Sequence, residues 1–421
     1  MSKHELIKIK NYSIVFIPIK GNLTRIECYI NTGFIDEDET NSGISHLIEH
    51  VMTENWKKCK DSCPKYWKEK GTISNAYTSN TFVGYWITGL SKWAKRMLEY
   101  TISEIKCELT KKKPLKEEKI AVKEELLKYF NKPNWKLDHQ FMKAFYEDEG
   151  ISNSENLPLQ IKNIDTFDQE KIREFCRKMY KPPNILFVVA GNYNKKEIVS
   201  CFQQKLTNLT CDIVEKKVSI NKNKLVKYIK HKSGKKTEIL IGFYAEIYPW
   251  DEVTIYFDLI ETVLSSGLNS ILLEQLRQKL KLIYGLTLEI ESNITGTLTY
   301  IRVSTQDKNI KKVIEHTIAK LKQFISCNFS NSFLVSAKNK LIVQKELLCK
   351  NLKFWAKFYG DQYAQQLTTP KKKIITYDYY IKKNSSVNKK TLCKIAKKIF
   401  NFDTLKILYI GKKKSHSMLS Q

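Results

Sequence analysis

The sequence predicts an α+β protein made of two homologous halves, each an antiparallel-rich sheet packed with helices into an α/β sandwich. Three observations point there. At 421 residues the chain has room for two domains of ordinary size, each able to bury a core. In each half, strand-like runs come first and helix-like runs follow. A faint internal repeat also relates the halves. Ile172-Arg173-Glu174-Phe175 leads through Tyr180 to an apolar run from Ile185 to Gly191, and Ile395-Ala396-Lys397-Lys398-Ile399-Phe400 leads to Leu405-Lys406-Ile407-Leu408-Tyr409-Ile410-Gly411. The expected domains are residues 1–210 and 236–421. Residues 211–235 are expected to link them, being rich in Lys and Asn and poor in large apolar side chains.

The first half opens with strands over residues 13–19 and 23–31. In the second of these, Ile26, Cys28 and Ile30 alternate with Arg25, Glu27 and Tyr29, the period of a strand with one apolar and one polar face. Residues 46–50 belong to a helix seated by Ile44, Leu47, Ile48 and Val51. The stretch from Gly71 to Thr81 is β-prone and bounded by Gly71 and Asn80. Helical patterns follow over residues 91–109, 114–130, 135–148 and 166–179, the last opening on Thr166-Phe167-Asp168-Gln169, which suits a capping box. The apolar run after Asn184 has the length of a buried strand. The second half gives strands over 238–244 and 298–304 and helices over 252–264 and 308–327.

Lys and Arg total 72 against 44 Asp and Glu, a formal net charge of +28. Such a balance often marks nucleic acid or acidic partners. Here the lysines run through nearly every segment, only six residues are Arg, and no nucleic-acid module is visible, so nucleic acid is not expected as the primary partner. No run approaches the roughly 18 apolar residues of a membrane-spanning helix. Ten cysteines occur singly and the chain begins Met1-Ser2-Lys3-His4-Glu5, without an apolar secretory segment or an Arg-rich presequence, which leads to the expectation of a reducing, cytoplasmic setting. Cys59 and Cys63 have CxxxC spacing without a second pair and read as free thiols.

The chemistry is concentrated in His46-Leu47-Ile48-Glu49-His50. Residues four apart on a helix are neighbours, so His46 and His50 can grip one metal ion with Glu49 beside them. Zn²⁺ takes neutral imidazole readily, and a site with three protein ligands leaves a fourth position for water. Glu49 then stands ready to take a proton, in the inverted HxxEH order of a zincin motif. A surface helix can carry the same residues with no metal, although chance alone would place the pattern in such a chain with odds on the order of 1%.

An open site needs a third ligand. On the helical segment Pro114 to Phe130, Glu118 and Glu125 are two turns apart and share a face. Taken alone, such a run is more often a solvated charged helix than a source of ligands.

Together these stretches resemble the inverted-zincin peptidases of the pitrilysin, insulysin and mitochondrial processing peptidase superfamily. There, HxxEH is followed by a helix of pattern Glu-Arg-x-x-Val-x-x-Glu whose last Glu is the third zinc ligand. The run Glu118-Lys119-Ile120-Ala121-Val122-Lys123-Glu124-Glu125 matches it. The resemblance thereby implies Glu125 as ligand, with Glu124 its adjacent competitor, and Glu118 as a supporting carboxylate. The stretch Gly71 to Thr81 resembles the superfamily's Gly-x-x-x-Asn-Ala-x-Thr-x-x-x-Thr, which implies that Asn75 and Ala76 lie on an edge strand that pairs with substrate backbone. Tyr180 to Gly191 fits the end of the first half, and Ser265 to Tyr284 resembles the second-half signature, with Arg277 and Tyr284 seven residues apart. The chain departs from the pattern at Lys281, where the superfamily has Gly, and near Leu157-Pro158-Leu159, where Gln160 and Lys162 follow in place of its usual Gly.

What the resemblance implies is a zinc-dependent endopeptidase of the single-unit, processing-peptidase-like branch, acting on peptides or unfolded polypeptide segments. One zinc per chain would be held by His46, His50 and Glu125, with Glu49 as general base. Arg277 and Tyr284 would contact substrate, Tyr284 near the developing oxyanion. Larger relatives hold four such domains, so this chain would form half of a clamshell chamber, completed by a second copy or a related subunit. Two other classes compete: a non-catalytic peptide-binding subunit, against which the intact ligand set argues, and the basic nucleic-acid binder already weighed.

Overall fold

Two mixed sheets organise the chain. The computed structural model describes residues 4–54, 64–106, 112–132, 134–147, 149–208, 216, 218–230, 236–367 and 373–411. The first sheet is built from β1 (Glu5–Ile9), β2 (Tyr12–Pro18), β3 (Leu23–Ile30), β4 (Ile73–Thr78), β5 (Val83–Leu90) and β6 (Ile185–Gly191) in the order β1-β2-β6-β3-β5-β4. The second contains β7 (Leu225–Lys230), β8 (Thr237–Ala245), β9 (Ile283–Asn293), β10 (Gly296–Thr305) and β11 (Lys406–Gly411) in the order β7-β11-β8-β10-β9. Each has one parallel pair, β2 with β6 and β7 with β11, and is otherwise antiparallel. Setting β1 aside, the two orders are the same, strand for strand. The expected α+β fold of two repeated halves is therefore what the chain adopts, and the sequence repeat at β6 and β11 marks equivalent strands.

The chain divides into two units that are not simple halves. Unit 1 comprises residues 1–131, 149–217 and 348–374, and unit 2 comprises 132–148, 218–347 and 375–421. Each thus takes a helix from the other half of the sequence. The Trp135–Phe145 helix packs on β8 and β11, and the Leu352–Gln365 helix packs on β2, β3 and β6. Of the stretch expected to link the domains, residues 211–215, 217 and 231–235 lie outside the described residues. Lys216 is buried against Asp36 (2.8 Å) and the Asn31 carbonyl (3.1 Å), and β7 pairs with β11. β7 resembles a linker in sequence because it is an edge strand with Ile229 as its one fully buried residue.

The swapped helix covers the polar face of β3, where Arg25 and Glu27 are both almost fully buried. They pair at 2.9 Å, Arg25 stacks over Trp86 at 4.0 Å and donates to Thr88, and Tyr29 donates to Asp361 of the Leu352–Gln365 helix. An added Cβ at Gly360 would lie 2.8 Å from Tyr29 Oη, so the bare glycine lets that helix approach. Burial pushes the Glu27 carboxyl up, and Arg25 opposes it. Thr166 departs from its expected place at the start of a helix. It ends the Leu157–Thr166 helix, its hydroxyl donating to the Asn163 carbonyl, and Asp168 caps the Gln169–Met179 helix by accepting from Lys171 N–H.

Cys327 and Cys393 form a disulfide with a Cα separation of 5.7 Å, joining residues 66 apart in sequence. Two cysteines that are scattered singly in the sequence are thus brought together in space. Cys28 and Cys201 are buried free thiols, and Cys59 and Cys63 lie outside the described residues. Among the described residues no helix is long and apolar enough to cross a membrane.

On the apolar side of β3, the Ala94–Glu104 helix buries Glu104, which accepts a hydrogen bond from Tyr100 at 3.1 Å. Burial pushes the Glu104 carboxyl up to about 8 against that bond, from an unfolded value of 4.5. Between these values the folded chain holds a proton that the unfolded chain has released, so stability falls as pH rises through the window. Glu104→Gln should remove that slope. Urea unfolding should find the variant more stable than wild type by a few kcal/mol near pH 9, at ~1.4 kcal/mol per unit, with the gap closing toward pH 5.

Candidate metal centre

The Ile44–Glu54 helix is held by its buried face and by an acid that reaches its first turn from outside. Ile44, Leu47, Ile48, Val51 and Met52 are buried, a stripe at helical spacing. Glu37, itself buried, accepts the N–H groups of Gly43 (2.7 Å) and Ser45 (2.9 Å), two of the donors a helix start leaves unmatched. Burial, opposed by those bonds, pushes its carboxyl up to about 7. Gly43 has φ +94, and a Cβ there would meet Gln160 at 3.2 Å, so glycine serves both the turn and the packing.

This helix and the Lys112–Phe130 helix pack together and bring three potential ligands to one point. Donor atoms of His46, His50 and Glu125 all lie within 4.8 Å of one another. Glu125 Oε2 is 3.5 Å from His50 Nε2 and 3.9 Å from His46 Nε2, slightly wider than the roughly 3.3 Å edge of a tetrahedron with ~2.0–2.1 Å bonds. Glu124 points to solvent and is not part of the group. On the far side of the His50 ring, Glu118 Oε2 lies 3.3 Å from Nδ1. A proton on Nδ1 directed at Glu118 leaves the Nε2 lone pair facing Glu125 and His46.

The electrostatics suit a cation. Burial, reinforced by His50, pushes the His46 imidazole down to about 4, so it is neutral and free to donate its lone pair. At His50, burial pushes downward, but the Glu118 hydrogen bond and the charges of Glu49, Glu118 and Glu125 outweigh it and the net shift is up. Two neutral-capable imidazoles and a carboxylate at this spacing fit Zn²⁺. Glu49 is nearly buried, and its Oε2 accepts from the Thr78 hydroxyl at 2.7 Å. Burial raises its carboxyl, opposed by Thr78 and His50 and reinforced by Glu125.

Asn75 and Ala76 lie on β4, an edge strand of the first sheet beside the metal helix. Ile73, Ser74 and Asn75 are exposed, and the Asn75 amide oxygen accepts the Ala76 N–H at 2.9 Å. Arg277 and Tyr284 belong to unit 2 and are exposed, Tyr284 on β9, the edge strand that corresponds to β4. Gln306 donates to the Tyr284 hydroxyl at 2.8 Å, and Lys236 lies over the ring at 5.1 Å. Sequence reasoning missed Glu37 and the bond from Thr78 to Glu49. The Gly71–Thr81 pattern did contain Thr78, but nothing in its spacing says where the hydroxyl goes.

Two repeated α+β units, with an HxxEH helix and a glutamate from a second helix in the first, define the inverted-zincin class. The family model described as Insulinase (Peptidase family M16) matches residues 20–158, and that described as Peptidase M16 inactive domain matches residues 166–341. The chain belongs to peptidase family M16. It is 22% identical over 357 residues to an uncharacterized zinc protease of Rickettsia felis, covering 79% of this chain and 83% of that one. It is 18% identical over 252 residues to the mitochondrial-processing peptidase subunit beta of Dictyostelium discoideum, covering 58% of this chain and 53% of the relative. Among solved structures, a protease from Helicobacter pylori has a TM-score of 0.82 at 17% identity, covering 98% of this chain and all of that one. A peptidase M16 inactive domain from Pseudomonas fluorescens has a TM-score of 0.83 at 13% identity, with 99% and 100% covered. At these identities the structural matches speak for the fold alone.

Proposed function

We propose that the chain is a zinc-dependent endopeptidase that hydrolyses peptides or unfolded polypeptide segments. The observation that carries this reading is the convergence of His46, His50 and Glu125 from two helices, with the Glu49 carboxylate close enough to His50 and Glu125 to feel their charges. His46, His50 and Glu125 would hold a zinc ion, which when bound would supply Lewis acidity toward a peptide carbonyl and toward water. Glu49 takes the proton from the attacking water and returns it to the leaving amine. Glu118 keeps the His50 ring turned so that Nε2 is presented toward His46 and Glu125, where it would serve as a ligand. The outer edge of β4 at Asn75 and Ala76 receives an extended peptide by strand addition. Arg277 grips substrate through its guanidinium, and Tyr284, whose hydroxyl already accepts from Gln306, keeps its own proton to donate to the developing oxyanion. Two chains, identical or related, pair to close a chamber around the peptide. The names of the relatives, zinc protease and processing-peptidase subunit, support the reading.

The test is a metal assay coupled to hydrolysis. The purified protein should carry about one zinc per chain, cleave an unfolded protein such as casein, stop when a chelator removes the metal and recover when zinc is restored. A folded chain that takes up no zinc, or one that cleaves equally without it, overturns the reading. Within it, Tyr284→Phe should keep normal zinc content and stability but lose turnover by about 10²- to 10³-fold, and Arg277→Ala should weaken substrate binding. Full activity in both would remove unit 2 from the reaction.

A further inference from the structure

We infer that Thr78 is a positioning residue for the reaction, its hydroxyl fixing which oxygen of Glu49 faces the attacking water. The inference deepens the peptidase reading and rests on it. Glu49 offers two carboxylate oxygens and only one is needed as base. Thr78 Oγ1 donates to Oε2 at 2.7 Å, a bond to a group that is charged when working, so Oε1 is left to the water. The donor is itself held in place. Thr78 ends β4 opposite Val83 of β5, and the hairpin beyond it is tied by Ser79, whose N–H and hydroxyl both donate to the Phe82 carbonyl at 2.8 Å while its Oγ accepts from Phe82 N–H at 3.0 Å. The segment leading to Glu37 braces the same turn: Phe34 N–H donates to the Ser79 carbonyl at 3.2 Å and Ile35 N–H to the Asn80 carbonyl at 2.9 Å. One rigid corner therefore fixes both the start of the metal helix, through Glu37, and the orientation of its acid, through Thr78. Tyr77, the neighbour on β4, points the other way toward Glu27.

The experiment compares Thr78→Val, which keeps the shape and removes the donor, with Thr78→Ser, which keeps the donor. For Thr78→Val, kcat on a fluorogenic peptide should fall about 10- to 100-fold, as expected for slight misplacement of a reacting group. KM, zinc affinity and Tm should be unchanged, and Thr78→Ser should return kcat to within about threefold of wild type. A further readout avoids turnover altogether. In the Glu49→Gln background, adding Thr78→Val should leave the Kd of a labelled peptide unaltered, because the hydroxyl acts on the acid and not on the substrate. Unchanged kcat in Thr78→Val, a loss confined to KM, or weakened peptide binding in the double variant each overturns the inference in favour of an ordinary strand or substrate contact. If the wild-type chain binds zinc and cleaves no peptide, the peptidase reading itself falls, and that failure appears in the control before any variant is compared.

Discussion

Glu49→Gln should yield a folded protein that still takes up zinc and has lost peptide hydrolysis by about 10²- to 10⁴-fold, the contribution of a general base. The substitution changes one atom. The amide keeps the volume of the acid in a nearly buried site, and its oxygen can still accept from Thr78. Burial already works against the charged carboxylate, so the neutral amide should cost no stability and by thermal unfolding should match or slightly exceed wild type. What disappears is the basic oxygen. Metal analysis and peptide turnover on the same preparation separate the outcomes. Zinc retained with activity lost supports the role of base, whereas zinc lost at unchanged Tm would make Glu49 a ligand.

The second large effect should divide two adjacent residues. Glu125→Gln should lower zinc affinity by more than the roughly 10- to 100-fold typical for loss of an outer partner such as Glu118, and activity should follow the metal. Glu124→Gln should change neither. Neighbouring helix positions point about 100° apart, so the two carboxylates cannot serve the same ion. Glu125 has an oxygen 3.5 Å from His50 Nε2, whereas Glu124 faces solvent. Zinc competition with a chromogenic chelator reads the difference directly, and the reverse ranking would mean that the Lys112–Phe130 helix is rotated from the register described here.

The HxxEH helix was legible because its signal is contiguous: two imidazoles and an acid at helical spacing with an apolar stripe beneath them. Glu125 was legible only through resemblance, since a carboxylate two turns from another on a charged helix has no local mark of a ligand. Glu37 and the bond from Thr78 were not legible at all. Helix-capping rules look for an acceptor at the helix start, and Glu37 reaches Gly43 and Ser45 from six and eight residues upstream. A hydroxyl at a strand end meeting an acid on a neighbouring helix follows from three-dimensional packing and has no sequence period. The same limit applies to the fold. The alternation in β3 identifies a strand, but nothing in it shows that the polar face is covered, because the helix that covers it lies more than three hundred residues later in the chain. β7 was hidden by its lysines, which an edge strand tolerates.

The exchange of helices between the units has a consequence during synthesis. When Lys217 emerges, every strand of the first sheet has been made, yet the flank carrying Arg25, Glu27 and Tyr29 stays uncovered until the Leu352–Gln365 helix follows. At ~5–20 residues per second that wait is roughly 7 to 30 s, far longer than secondary structure needs to form. During that interval the nascent chain presents a half-finished surface with a buried-type ion pair open to water, the kind of surface a chaperone shields. Unit 1 therefore cannot be completed until most of unit 2 has been synthesised, although its last segment precedes the final strand of unit 2.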